Sequence, residues 1–236
     1  MLCLMCKSEH KKLVKAHIIP KSLYAPIIKN GIAPELHSNI EGHYKKRIPI
    51  GVYDKNILCD ACEKLFSPYD TYAYEFFLGN RQSWKAVTIA PRTIVHVTTE
   101  FDYVKLKLFF ISLIYRASLS THNMFKRINL GEFQEDAKEM IVSGNPGTPD
   151  VFSVIISEFD HKCVSTAMLD PDRISIQGVD FLIFYFSGFC PMIKIDTRQT
   201  PTDLSPFQLG HEPVLIIPTR DFLSSKELPI IKSMRP

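Results

Sequence analysis

The sequence lacks any apolar segment that could span a membrane, and it lacks low-complexity runs. Its longest apolar stretch, LFFISLIY from Leu108 to Tyr115, is far shorter than the roughly 20 residues that a bilayer span requires. The first residues, MLCLMCKSEHKK, place their charges after a very short apolar piece, which is the reverse of a secretory signal. We therefore expect a cytoplasmic protein with no membrane partner.

Familiar catalytic motifs are missing from the larger part of the chain. Residues 86–236 contain no P-loop, no GxGxxG fingerprint and no GxSxG elbow. No motif therefore points to a P-loop NTPase, a dinucleotide-binding enzyme or an α/β-hydrolase. This part of the chain is expected to bind substrate, to bind a protein partner or to form a homodimer, and the sequence does not choose among these roles.

The net charge is only +3, but the charge is unevenly distributed. Residues 1–60 hold ten Lys and Arg against five Asp and Glu. A basic N-terminal region is compatible with a phosphate-rich partner. Solvated lysines on a small module explain the same excess equally well.

Four of the six cysteines form two CxxC pairs, Cys3 with Cys6 and Cys59 with Cys62. Each CxxC turn can supply two thiolates to a tetrahedral structural zinc site. Loop closure costs only ~0.6 kcal/mol per doubling of loop length, whereas structural zinc contributes on the order of 10 kcal/mol. The long separation of the pairs is therefore tolerable. The alternative is two unrelated redox motifs, but the first pair lacks the strand-then-helix context of such motifs. The remaining Cys163 and Cys190 are predicted to be buried free thiols.

The motifs CLMC, AHIIP and LCDACE, in this order, resemble the HNH nuclease family with zinc knuckles. The resemblance covers roughly the first 70 residues and extends to uncharacterised HNH-like proteins of bacteria and their phages. It implies a treble-clef, ββα-metal fold and a structural zinc. It also implies hydrolysis of nucleic-acid phosphodiesters, with Mg²⁺ or Mn²⁺ as the catalytic metal. By the same resemblance His17 is the general base that activates water, and antiviral defence is one implied context.

The supporting positions of the family pattern differ in this sequence. Ala16 stands where a metal ligand is expected, and Glu63 replaces the histidine after the second knuckle. Asp54 takes the position of the asparagine that orients the base, while Asn56 lies two residues later and could share its face. The predicted site is therefore His17 as base, with Asp54 and Glu63 as carboxylate ligands of the metal. Either Asp54 or Asn56 could serve in place of the asparagine. His10 or His43 could supply a further group.

A nuclease also needs phosphate contacts near its base. Tyr24 and Tyr44 are candidates for stacking on bases. The predicted phosphate-binding residues are the basic side chains on both sides of His17 and in the following loop, namely Lys11, Lys12, Lys15, Lys21, Lys45, Lys46 and Arg47.

The predicted fold class is α+β, with a treble-clef-like zinc module over residues 1–80 and a larger α+β domain with a mostly antiparallel sheet over residues 86–236. A long buried helix is expected between Phe101 and Ser120, and an amphipathic helix is expected to end near Gly144. Ser112, Arg116 and Ser120 form a polar stripe on the buried helix, for which we expect ion pairs or hydrogen bonds. Ser67 to Asp70 reads as a capping box.

Two functions follow from this sequence. The first is a metal-dependent HNH-like endonuclease that uses His17. The alternative is a non-catalytic, zinc-stabilised module that binds nucleic acid or a protein.

Overall fold

The structure is a computed structural model that describes residues 1–24, 35–37, 46–47, 51–161 and 167–233. The predictions for His43, Tyr44, Lys45 and Cys163 lie outside the described residues. For the two short segments 35–37 and 46–47 the backbone is described.

The N-terminal segment consists of short strands followed by two helices. The strands are β1 (Ala16–His17), β2 (Glu35–His37), β3 (Lys46–Arg47) and β4 (Tyr53–Asp54), with a 3₁₀ turn at Lys21–Tyr24. The helices are α1 (Asp60–Lys64) and α2 (Ser67–Tyr74), and a π-helical turn at Glu75–Gly79 follows α2.

The remaining residues form three further helices and nine strands in the described chain. The helices are α3 (Tyr103–Leu119), α4 (Phe133–Ser143) and α5 (Glu227–Ser233). The strands are β5 (Lys85–Ile89), β6 (Arg92–Thr98), β7 (Val154–Ile155), β8 (Glu158–Phe159), β9 (Ala167–Leu169), β10 (Asp172–Ile176), β11 (Val179–Ile183), β12 (Met192–Lys194) and β13 (Leu215–Arg220).

Most strand pairs are antiparallel, as the sequence predicted. One sheet has the order β10-β11-β12-β7 and is antiparallel throughout. A second has the order β5-β6-β13-β8, in which only β13 and β8 run parallel, and a third has the order β3-β2-β9, in which β2 and β9 run parallel. β1 and β4 form a separate two-stranded ribbon. The fold class α+β is thus confirmed in its coarse form.

Helix α3 lies at the centre of the hydrophobic core. It begins where the Asp102 carboxylate accepts a hydrogen bond from the Lys105 backbone N–H, 3.0 Å away, and all residues from Leu106 to Ala117 are buried. The main cluster of buried side chains joins this helix to residues of the N-terminal segment, such as Ile18 and Leu58. The proposed division into residues 1–80 and 86–236 stays a prediction.

Helix ends test two local predictions. Helix α4 ends as expected at Gly144, whose φ of 69° suits a residue without a side chain. The prediction of a capping box at the start of α2 was wrong, because Phe66 occupies the cap position and Ser67 is already helical. The Asp70 carboxylate is instead paired with Arg116.

Among the residues that the structure describes, no helix combines the length and the apolar character that a membrane span requires.

Candidate metal centre and adjacent histidine

The four paired cysteines meet at one point. Their Sγ atoms all lie within 4.8 Å of one another, and the Cys6 and Cys59 sulfurs are 3.9 Å apart. A zinc–sulfur bond of about 2.3 Å implies an S···S edge of about 3.8 Å in a tetrahedron. All four thiols are free rather than bridged as disulfides. The four cysteines could therefore bind a metal ion such as zinc.

Backbone hydrogen bonds shape both CxxC turns around the sulfurs. The Cys59 N–H donates to the Cys3 sulfur across 3.4 Å, and the Lys7 N–H donates to the Cys3 carbonyl across 2.9 Å. Lys7 has a φ of 58°, so the chain turns sharply after the first pair. The Leu4 N–H also donates to the Ile57 carbonyl across 2.8 Å, which ties one turn to the other.

The repulsion between closely spaced thiolates in the cluster favours a bound cation. Burial raises the pKa of the Cys62 thiol, and the neighbouring cysteines raise it further. On the exposed side, His10 Nε2 lies 3.6 Å from the Cys6 sulfur. This contact, together with a hydrogen bond from the Ser8 backbone, lowers the pKa of Cys6 to about 5. Several thiolates in so small a space repel one another unless a metal compensates their charge. His10 thus lies beside the centre as a partner of Cys6.

The β1–β4 ribbon beside the cysteines has two different faces. Ala16 is opposite Asp54 and His17 is opposite Tyr53. Because side chains alternate along a strand, Ala16 and Asp54 share the inner face, where they are 0% and 5% exposed. His17 and Tyr53 share the outer face. Position 16 therefore faces the core, so a metal ligand there would not lie beside the His17 ring.

Two side chains hold the backbone of His17. The Glu63 carboxylate accepts a hydrogen bond from the His17 N–H, and Arg116 Nη1 donates to the His17 carbonyl across 2.8 Å. Burial raises the pKa of Glu63, although the charge of Arg116 acts in the opposite direction. Glu63 Oε2 is buried and makes no hydrogen bond to the described chain. The structure thus brings two predicted residues, His17 and Glu63, together.

Arg116 and Asp70 complete this group. Arg116 is fully buried and donates from Nη1 and Nη2 to the two Asp70 oxygens, at 2.8 Å and 2.7 Å. Its guanidinium also lies 4.8 Å from the centre of the Phe66 ring. Burial raises the pKa of Asp70, against which Arg116 and His17 act as nearby positive charges. The expectation that the polar stripe of α3 makes ion pairs or hydrogen bonds is confirmed.

Asp54 makes contacts that differ from its predicted role. Its Oδ1 accepts from the Asn56 N–H at 2.9 Å, and its Oδ2 accepts from the Ser120 hydroxyl, the Thr121 hydroxyl and the Thr121 N–H at 3.1, 2.9 and 2.8 Å. These hydrogen bonds outweigh its burial and lower the pKa of Asp54. Asp54 therefore ties the ribbon to the end of α3 and faces away from His17. The catalytic roles of Asp54 and Asn56 stay predictions that these contacts do not support.

The outer face of the ribbon is basic and aromatic. The ammonium groups of Lys15 and Lys55 lie 5.4 Å and 5.8 Å from the centre of the Tyr53 ring, and the rings of His17 and Tyr53 are 5.8 Å apart. Lys11, Lys12, Lys15 and Lys21 are exposed. Lys46 and Arg47 lie on β3, for which only the backbone is described.

One of the two tyrosines predicted to stack on bases is buried, and sequence reasoning missed part of this group. Tyr24 is 1% exposed and lies against Gly51, where an added Cβ would be 2.6 Å from the ring, so Tyr24 is not available for stacking. Tyr53 and Lys55 were not selected. The signal was present in the two-residue spacing of Lys15 from His17 and of Tyr53 from Lys55, since each lysine directly flanks one of the two paired strands.

Comparison with protein-family models, with curated proteins and with solved structures gave no match for this chain.

Proposed function

We propose that this protein is a zinc-stabilised, HNH-like endonuclease that hydrolyses nucleic-acid phosphodiesters with water activated by His17. The observation that carries the proposal is the position of His17. It ends a strand beside the four-cysteine cluster, with its backbone held by Glu63 of the helix that follows the second CxxC pair. The proposal also draws support from a CxxC turn, a two-stranded ribbon and a helix that starts at the second pair, which are the elements that a treble clef would require.

Zinc is the metal that best fits the four cysteines. Four thiolates around one point, with a sulfur–sulfur distance of 3.9 Å, suit a tetrahedral and redox-inactive ion. Such a site is closed to substrate. Its role is to fix the ribbon that carries His17.

The general base requires a held imidazole near solvent. His17 is partly exposed on the outer face, while Glu63 and Arg116 fix its backbone from the inner side. A neutral imidazole can accept a proton from a water molecule that attacks phosphorus. The nearby Asp70 carboxylate favours the imidazolium that this transfer produces.

A catalytic Mg²⁺ or Mn²⁺ fits one of the two predicted carboxylates. The buried Oε2 of Glu63 has no protein donor, and a carboxylate oxygen is the ligand that these ions prefer. Asp54 does not fit, because both of its oxygens accept hydrogen bonds from protein groups. Bound at Glu63, the ion would stabilise the negative charge that develops on the phosphate.

The outer face of the ribbon supplies the nucleic-acid contacts in this proposal. Lys15 and Lys55 offer phosphate contacts on either side of the base, and Tyr53 offers a ring on which a nucleobase can stack. Phosphate contacts position a substrate without reading its sequence.

The test is cleavage of plasmid and single-stranded DNA and of RNA by the zinc-loaded protein with Mg²⁺ or Mn²⁺. We expect wild-type protein to cut and His17→Ala to be at least about 100-fold slower, which is the lower end of general-base effects. His211→Ala is the matched control, since His211 is exposed on a turn and belongs to neither the cysteine cluster nor the proposed substrate face. Cutting by His17→Ala at the wild-type rate would refute the assignment of the base.

The alternative function is a non-catalytic, zinc-stabilised module that binds nucleic acid or a protein. The observation that favours it is the engagement of Asp54 with Ser120 and Thr121, together with Ala16 in the core. Asp54 is occupied by structural hydrogen bonds, and position 16 has no side chain that could bind a metal. Two positions that the HNH pattern uses are therefore not available for catalysis. Binding of DNA or RNA that depends on Lys15 and Tyr53, without cutting under either metal, would favour this alternative.

A further inference from the structure

A cleft of about 500 Å³ lies in the second sheet, and none of the four clustered cysteines lines it. It is bordered by strands β6, β8 and β13 and by the turn at Ser187–Gly188. A volume of this size suits a ligand as large as a nucleotide or a sugar phosphate.

The cleft contains a buried carboxylate that contacts a guanidinium and an imidazole. Glu158 is 4% exposed, and its two oxygens contact the Arg81 guanidinium and His96 Nδ1. The guanidinium is also fixed between two rings, 5.3 Å from the centre of Trp84 and 5.1 Å from that of Phe189. Arg81 and His96 are thus held in place before any ligand binds.

These groups leave hydrogen-bonding capacity toward the cleft. A guanidinium has five N–H donors, and in the described chain only Nη2 of Arg81 makes a hydrogen bond, to Glu158. Nδ1 of His96 is the ring nitrogen in contact with Glu158, so Nε2 is left for a ligand, to which it donates when the ring is protonated. Thr219 also lines the cleft, and its buried Oγ1 makes no hydrogen bond to the described residues. Burying a hydroxyl without a hydrogen-bond partner costs free energy. Thr219 Oγ1 is therefore a candidate hydrogen-bonding group for a ligand in the cleft.

The negative groups of the cleft restrict the ligand further. Glu158 is paired with Arg81, and Asp160 Oδ1 accepts a hydrogen bond from the Phe222 N–H across 3.0 Å. At the rim, Arg92 is paired with Asp221 across 3.0 Å. An anion is therefore favoured only near Arg81, His96 and Thr219, while Asp160 suits the hydroxyl groups of a sugar.

We propose that this cleft binds a phosphomonoester of nucleotide or sugar-phosphate size, with the phosphate group at Arg81, His96 and Thr219. Arginine and hydroxyl donors match the oxygens of a phosphate. The site is independent of the cysteine cluster and of the proposed nuclease activity.

The only tryptophan of the chain reports on this site. Trp84 is 7% exposed, and its ring lies 6.2 Å from the His96 ring. We would titrate the zinc-loaded protein with adenosine 5′-monophosphate, ribose 5-phosphate, inorganic phosphate and adenosine, and follow Trp84 fluorescence and the melting temperature. We expect at least one phosphomonoester to give a saturable change and to bind at least about tenfold more tightly than adenosine and inorganic phosphate, a difference of about 1.4 kcal/mol. The absence of a saturable change with both phosphomonoesters, or equal affinity for adenosine, would overturn the proposal.

Substitutions locate the binding site. Thr219→Val, which keeps the shape of the side chain, should weaken phosphomonoester binding about tenfold in calorimetry, again about 1.4 kcal/mol. Thr202→Val, on an exposed turn, is the matched control and should leave the affinity unchanged. If Thr219→Val does not fold, His96→Gln replaces it with the same expectation. Wild-type affinity in the folded variant would show that the ligand binds elsewhere.

Discussion

The ion pair between Arg116 and Asp70 allows a quantitative test of how strongly the group that holds the His17 backbone stabilises the fold. Arg116 is 0% exposed, and it contacts Asp70, the His17 carbonyl and the Phe66 ring. Replacing it with Met keeps much of the apolar volume but leaves Asp70 and the His17 carbonyl without their donor. The same ion pair can be broken from the other side with Asp70→Asn.

The expected magnitude follows from the burial of the ion pair. Breaking a buried pair by removing one partner costs about 3–5 kcal/mol, because the other charge stays buried and uncompensated. Because Asp70 is 20% exposed and water can reach part of its charge, we expect Arg116→Met to lower the free energy of unfolding by about 3 kcal/mol, the lower end of this range. The double variant should lose less than the sum of the single variants, since it leaves neither charge without its partner.

The measurement is a double-mutant cycle from urea unfolding of the zinc-loaded protein. Arg173→Met is the matched control, because Arg173 is 53% exposed and pairs with Asp180 on the surface. Exposed ion pairs contribute at most about 1 kcal/mol, so this variant should change stability by no more than that. Additivity of Arg116→Met and Asp70→Asn within about 0.5 kcal/mol would refute the reasoning, because it would mean that the two charges do not depend on each other.

Three further predictions concern the metal, the nucleic-acid face and a buried lysine. Cys59→Ser should abolish stoichiometric zinc in metal analysis and unfold the N-terminal segment, and a folded, zinc-free variant would contradict this. Tyr53→Ala should weaken binding of single-stranded DNA by about 1–3 kcal/mol in fluorescence anisotropy, whereas Tyr74→Ala should not. Lys107 is fully buried, and burial lowers its pKa to about 7. Between this pKa and that of the unfolded chain the unfolded state binds more protons, so stability should rise by about 2 kcal/mol from pH 7 to pH 9. This rise should be absent in Lys107→Met and present in Lys105→Met, and equal pH profiles of both variants would contradict it.

The sequence predicted the elements whose signals are local. The spacing within LCLMC and LCDAC indicated the four-cysteine cluster, since each CxxC turn presents two sulfurs in one direction whatever surrounds it. The apolar run between Phe101 and Ser120 indicated the buried helix, and Gly144 indicated the end of the next one. Each of these signals lies within a few consecutive residues, and a sequence pattern is sufficient to recognise it.

The outcomes for Asp54 and Asp70 depended on residues that are distant in the chain. Asp54 was assigned to the base by its distance from Cys59, but its partners Ser120 and Thr121 come from the end of α3. Asp70 matched a capping box, yet a bidentate contact with a buried Arg116 decides its orientation.

The sequence by itself determined that four sulfurs can hold one ion next to a strand that ends in His17. Only the tertiary structure decided which face of that strand meets water. The face is set by the pairing of β1 with β4, by the burial of Ala16 in the core and by the contacts of Asp54 with the end of α3. A strand of two residues carries no hydrophobic pattern from which this choice could be read.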